Sequence, residues 1–223
     1  MEHFSDPQAV ARYAEGPPRF VPGYHHLHRM AAILMAERAP ANGRVLVLGA
    51  GGGLELKAFA EAQPQWTFLG VDPAPAMLQL AEATLGEHAA RATLLEGYID
   101  DAPAGPFDAA ACLLTLHFMS REERRRTAAE IRRRLKPGAP LVVAHSSFPQ
   151  AKGERDRWLS RYAAFAAASG VEPDKAQAAR EAVASTIDLL DPRDDEAVLR
   201  EAGFSGVSLF FAAFTWRGWV AYA

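Results

Sequence analysis

Between Tyr24 and Arg38 the apolar positions Leu27, Met30, Ala31, Leu34 and Met35 recur at i, i+3, i+4, i+7 and i+8. That spacing predicts a helix with a single apolar stripe. Asn42-Gly43 breaks the pattern, and Val45-Leu46-Val47-Leu48 follows as a continuous apolar run flanked by glycines. A run so short and so rich in β-branched residues predicts a strand buried on both faces. The alternation continues: a helix over Leu54 to Ala62, a strand over Trp66 to Val71, and a helical stripe of Met77, Leu80, Ala81, Thr84 and Leu85. Strands follow over Ala92 to Leu95, Ala109 to Leu116 and Leu141 to Ala144. Ser120 with Glu123 is a capping-box signature that opens the helix between the last two of these, and Lys136-Pro137-Gly138 closes it. Strands separated by helices in this rhythm predict an α/β fold with a parallel sheet and right-handed crossovers.

Beyond Phe148 the rhythm changes. Trp158, Tyr162, Phe165 and Ala166 mark one helix, and two more are expected over Lys175 to Ile187 and Asp194 to Ala202. The aromatic-rich end, Val207 to Tyr222, reads as an antiparallel pair interrupted at Arg217-Gly218. The expected organisation is one domain over 1–223: a helical cap (1–40), a core (41–148), a helical insertion (149–203) and a strand pair (204–223).

Composition fits an ordinary globular protein, with 49% hydrophobic and 23% charged residues in 223. A formal charge of −3 gives no global attraction to nucleic acid or anionic membrane. Cys112 is the single cysteine, which excludes an internal disulfide and suits a reducing cytoplasm. The start, MEHFSDPQAV, is polar and acidic, unlike a signal peptide. No apolar stretch approaches the roughly 20 residues of a membrane helix. A cytoplasmic, soluble protein is the expectation.

The chemistry begins at Gly49-Ala50-Gly51-Gly52-Gly53, which follows a buried strand and precedes a helix. Glycines there let a ligand approach the backbone, and the helix presents free N–H groups. Asp72 ends the second strand, 72 − 53 = 19 residues beyond the last glycine. An acid about 20 residues on accepts from ribose hydroxyls in dinucleotide sites. A ribose-bearing cofactor is therefore expected at the carboxyl ends of the first two strands. The nicotinamide pattern G-x-G-x-x-G would need a small residue where Leu54 stands.

The spacing G-x-G-x-G resembles motif I of class I S-adenosylmethionine-dependent methyltransferases. Val71-Asp72-Pro73 with Met77, then Glu96-Gly97-Tyr98-Ile99-Asp100, Phe107-Asp108 and Leu135-Lys136-Pro137-Gly138 resemble that superfamily's later motifs in order. The resemblance implies a Rossmann-like fold: a mostly parallel seven-stranded sheet with an antiparallel final strand, an N-terminal helical lid, and a helical insertion before the last two strands. It implies S-adenosyl-L-methionine as cofactor, S-adenosylhomocysteine as product, and Gly49, Ala50, Gly51, Gly53, Asp72, Pro73, Met77, Gly97, Tyr98, Ile99 and Leu114 as cofactor-binding residues. Tyr98 departs from the acid common after the third strand. The Ile99 backbone N–H is expected on the adenine ring.

Arg19 with Pro22-Gly23-Tyr24, Leu114-Thr115-Leu116-His117-Phe118 and the tail from Gly203-Phe204 to Phe214 resemble the carboxy-S-adenosylmethionine synthase family, which acts in tRNA wobble-uridine modification. That resemblance implies a carboxylated cofactor made from S-adenosylmethionine and prephenate, a homodimer, and Arg180 as the arginine that holds the added carboxylate. The residue reading leaves Arg180 equally as a surface arginine of an alanine-rich helix.

On the acceptor side, His117 after the fourth strand and His145 after the fifth are candidate bases, or polar loop residues. Tyr13, Arg19 and Tyr24 are candidate lid residues, and Tyr24 joins His117 and Arg180 as candidate catalytic groups. His25, His26 and His28 lack a completing ligand set, so no metal is expected. Arg124-Arg125-Arg126 with Arg132-Arg133-Arg134 reads first as a solvated helix face and second as an RNA-binding face. The acceptor is a small molecule or tRNA. A cofactor-binding RNA module without catalysis is the non-enzymatic alternative.

Overall fold

In β1 (Arg44–Leu48), Val45 and Val47 face one core while Leu46 and Leu48 face the other, and all four are buried. The same alternation runs through β4 (Ala109–Leu113) and β5 (Pro140–Ser146), so both faces of the sheet are covered. This is why these strands read as unbroken apolar runs. The computed structural model describes residues 13–223, so the first twelve residues of the expected cap lie outside the described residues.

β2 (Thr67–Asp72) and β3 (Ala92–Glu96) complete the parallel part of the sheet, and β6 (Ser205–Ala213) and β7 (Trp216–Tyr222) end it. The order is β3-β2-β1-β4-β5-β7-β6, with β7 antiparallel to both β5 and β6. Two helices, α1 (Gly16–Phe20) and α2 (Tyr24–Ala36), precede β1. α3 (Leu54–Ala62), α4 (Pro75–Leu85) and α5 (Arg121–Arg134) connect the parallel strands. α6 (Glu154–Ala168), α7 (Pro173–Thr186) and α8 (Pro192–Glu201) lie between β5 and β6. The chain winds from β1 out to β3, then returns to β4 on the other side of β1. That reversal opens a crevice at the carboxyl ends of β1 and β4, the place where open α/β sheets bind ligands.

The structure corrects three details of the sequence reading. β4 stops at Leu113 rather than Leu116: Leu114 takes a positive φ of 55°, its N–H reaches Ala144 O at 2.6 Å, and Leu116–Phe118 curl into a 3₁₀ turn. Thr115 Oγ1 donates to Leu113 O at 2.9 Å and turns the chain off the strand line. The final pair reverses at Phe214-Thr215, while Arg217 and Gly218 lie inside β7 opposite His145 and Ala144. Gly218 suits the strand interior because a Cβ there would meet the Phe210 ring at 3.0 Å. The arginine-rich helix α5 is not a uniformly solvated face. Its predicted capping box is present at Ser120 and Glu123, but Arg124 and Arg134 are buried.

Candidate functional site

The loop from Gly49 to Gly53 crosses the head of the crevice, and packing explains its glycines. A Cβ on Gly49 would overlap the Thr115 side chain, and one on Gly53 would stand 2.8 Å from the Ala81 Cα of α4. Gly49, Gly51 and Gly53 all have positive φ, a region that side chains other than glycine's enter at a cost. The Asp72 carboxylate holds this loop in place. Its Oδ2 accepts from Gly51 N and its Oδ1 from Ala74 N, both at 2.9 Å. Each oxygen keeps acceptor capacity for a further donor.

The other expected cofactor residues gather around this point. Gly49 and Ala50 donate backbone N–H groups to Val71 O, and Gly97 donates to Asp72 O at 3.1 Å. The loop is thus stitched to the end of β2, and β2 to the residue after β3. Pro73 lies beside Asp72, and buried Met77 places its methyl 3.7 Å from the Cβ position of Gly51. Tyr98 stands 53% exposed at the end of β3, while Ile99 is buried behind it. Tyr98 N donates to Asp101 Oδ2 at 2.8 Å and caps the short turn that follows.

Tyr13 lies against the loop. Its hydroxyl stands 3.2 Å from the Cβ position of Gly51, and its ring edge 2.8 Å from that of Gly52. Tyr24 is buried and packs edge-on against His28, with centroids 4.4 Å apart. Arg19 stays half-exposed beside Glu15 at 3.5 Å, away from the loop contacts.

Glu55, in the first turn of α3, is a buried acid next to this loop that the sequence reading did not single out. It is only 7% exposed, and its own backbone N–H donates to its carboxyl. Burial pushes this carboxyl up to about 8, and the Asp72 charge adds to the rise. Glu55 in turn acts on Tyr13, Tyr24 and Cys112, whose own ionisations burial displaces upward. An acid two residues after a glycine loop, where the helix should bury apolar groups, was the available signal.

Of the residues expected on the acceptor side, His117 is buried in the turn after β4, its ring edge-on to Trp216 and tilted against Phe118. Ser146 N faces His117 Nδ1 at 3.4 Å. Burial holds the ring neutral, and the nearby His145 and Arg124 add to the effect. His145 faces the opposite side of β5, with Nε2 3.0 Å from Asp195 Oδ1 and Trp219 alongside. Arg180 is half-buried on α7, whose main contact is α6; no described contact joins it to the glycine loop. His28 is buried and held down to about 4. Among the described residues no group of three His, Cys, Asp or Glu could hold a metal ion, and no helix is long and apolar enough to cross a membrane.

Comparison with known proteins supports this geometry. Residues 45–138 match a family described as methyltransferase domain. No curated protein is similar enough in sequence to match the chain. Among solved structures, the pyocyanin biosynthetic protein PhzM is 16% identical, with a TM-score of 0.72 over 99% of this chain and 60% of its own. PigF, solved with SAH, is 17% identical, with a TM-score of 0.71 over 100% of this chain and 61% of its own. Human N-acetylserotonin methyltransferase, solved with SAM, is 16% identical, with a TM-score of 0.63 over 99% of this chain and 55% of its own. The chain therefore spans about three-fifths of the length of the solved proteins it matches. These likenesses show the fold, a Rossmann-like class I methyltransferase fold.

Proposed function

We propose, taking residues 45–138 as a methyltransferase domain on the class I fold, that this protein binds S-adenosyl-L-methionine and transfers its methyl group to a small-molecule acceptor. The observation that carries the reading is the Asp72 carboxylate bonded to Gly51 N at the carboxyl ends of β1 and β2. It joins the one acid suited to ribose hydroxyls to the loop a nucleoside must approach. Neighbours solved with SAM and with SAH support the same cofactor.

The residues present fit that group. The Cα face of Gly51 is met by the Tyr13 hydroxyl at 3.2 Å and the Met77 methyl at 3.7 Å, so this reading has Tyr13 move aside for the ligand, with Gly97 and Tyr98 beside the base. When bound, the cofactor supplies a methyl group already activated by a sulfonium. The protein's work is then alignment and exclusion of water. In this reading His117, in the turn after β4, is the group that meets the acceptor. While Nδ1 faces the Ser146 N–H, the neutral ring keeps its proton on Nε2 and offers a donor that orients an acceptor oxygen. Acting as a base requires that contact to break.

Arg180 bears on the carboxylated-cofactor alternative, and one measurement separates the two. The protein is incubated with S-adenosylmethionine and prephenate, and the retained ligand is analysed by mass spectrometry. Plain cofactor or its demethylated product supports the methyltransferase reading. A ligand heavier by one carboxylate, lost on Arg180→Ala, contradicts it.

A further inference from the structure

The β6–β7 hairpin returns to the carboxyl end of β5, where Ser146 lies opposite Trp216, and α6 sets out from the same end. Two arginines converge there on one ring. Arg161 stands 4.5 Å from the centroid of Trp158, its neighbour on α6, and Arg217 of β7 stands 5.5 Å from the same centroid. The indole attracts each cation. The two cations repel each other, and among the described residues neither forms an ion pair with a carboxylate. Arg124, Arg125, Arg126, Arg133 and Arg134 on α5 are, by contrast, each paired with an acid. Arg217 is half-buried, and its Nη1 donates to Phe214 O at 2.6 Å and to Trp216 O at 2.8 Å. These bonds pin the guanidinium to the hairpin without neutralising it. Nε and Nη2 form no hydrogen bond among the described residues, and they are the edge of the fork that grips two oxygens of one anion. A charge partly withdrawn from water is ordinarily paired.

The pair stands on the His117 side of the sheet's edge. Trp216, the residue before Arg217, meets the His117 ring edge-on at 5.7 Å, and Tyr162, one turn beyond Trp158, lies 6.5 Å from Trp216. Asp72 and the glycine loop belong to β1 and β2, on the other side of β4. We propose that Arg217 and Arg161, gathered on Trp158, form an oxyanion site for a carboxylate or phosphate group of the acceptor. The inference rests on the methyltransferase reading and deepens it by giving the acceptor's chemical class, a small molecule that carries an anionic group. Exposed Phe214, packed on Phe165 with centroids 6.1 Å apart, offers an apolar surface beside the site for the rest of that molecule. The anion supplies the missing counter-charge to both arginines. No bond to it is made or broken.

The test is a ligand-detected NMR titration with benzoate, phenyl phosphate and benzamide in the presence of S-adenosylhomocysteine, whose own binding is followed by calorimetry. Benzamide is the neutral counterpart of benzoate. At least one anion is expected to bind wild type about tenfold or more tightly than benzamide, and the tighter of the two identifies the group recognised. The double variant Arg161→Gln/Arg217→Gln should bring that anion down to the level of benzamide, while its unchanged affinity for S-adenosylhomocysteine shows that it is folded. Arg157→Gln, at an exposed arginine of the same helix, should keep the preference. Equal binding of benzamide and both anions by wild type, a preference that survives in the double variant, or an equal loss in Arg157→Gln would each overturn the inference. An intact anion preference without S-adenosylhomocysteine binding would sink the cofactor assignment and leave the anion site standing.

Discussion

Arg124 Nη1 lies 2.7 Å from Asp195 Oδ1, and neither side chain is more than 1% exposed. The same guanidinium donates through Nε to Met119 O at 3.0 Å and through Nη2 to Asp188 O. One arginine thus joins the turn that carries His117, the end of the helical insertion, and α8. Burial pushes the Asp195 carboxyl upward, but the His145 ring and the Arg124 guanidinium overcome this and hold it below the ordinary carboxylate range.

Removing one member strands the other's charge in the core. Asp195→Leu or Arg124→Met should each cost about 3–5 kcal/mol. Arg124→Met combined with Asp195→Leu should cost less than the two single changes added together. Urea unfolding checks this, and strict additivity would refute the coupling.

The glycine loop makes a second prediction. Gly53 and Gly153 are both left-handed, with φ of 78° and 81°, but a Cβ on Gly53 would press on the backbone of Ala81, while Gly153 has nothing within 4 Å. Gly153→Ala should lose about 1–2 kcal/mol from conformational strain alone. Gly53→Ala should lose more and should also weaken cofactor binding. Equal thermal shifts for the two variants would show that the packing against α4 is not what requires the glycine.

Stability should depend on pH through Glu55. Its folded value lies near 8 against 4.5 for the free group, so between these the unfolded chain has released a proton that the folded state keeps. The favourable contribution is complete below about 4.5 and is lost as pH rises toward 8, by on the order of a few kcal/mol. His28, lowered to about 4, works in the other direction: stability falls as pH drops below 6.5, where the unfolded chain takes up a proton the folded one refuses. Glu55→Gln should therefore flatten the limb between pH 6.5 and 8.5 and leave the acid limb in place. A wild-type stability that does not fall over that range would contradict the burial of this acid.

The arginine helix yields a negative expectation. Arg125 pairs with Glu122, Arg126 with Asp100 and Arg133 with Glu130, while Arg124 and Arg134 are buried. Little free positive charge remains on α5 to neutralise phosphates. Binding to tRNA should be weak, and replacing Arg125, Arg126 and Arg133 should leave its salt dependence unchanged. A steep salt slope that vanishes in this variant would restore the RNA-binding reading.

Much of the fold was legible because local signals and global packing agree. The double burial of β1, β4 and β5 shows as apolar runs, and the Ser120–Glu123 box marks the start of α5. Spacing alone singled out Asp72, though not its hydrogen bond to Gly51 N. What stayed hidden depends on partners distant in sequence. Nothing local says that Arg124 meets Asp195, 71 residues away. Nor does periodicity separate Leu114–Leu116 from the strand before it, since the bend is set by Thr115 and by the pairing of Leu114 with Ala144. Glu55 was overlooked for a similar reason: only the fold brings Tyr13, Tyr24 and Cys112 around it.

The most direct test of the central claim is calorimetric titration of the purified protein with S-adenosylhomocysteine and, separately, with NAD, in wild type and Asp72→Ala. The account predicts that wild type binds S-adenosylhomocysteine, that Asp72→Ala binds it far more weakly, and that NAD gives no heat of binding. NAD binding without S-adenosylhomocysteine binding, or wild-type affinity in Asp72→Ala, would contradict it.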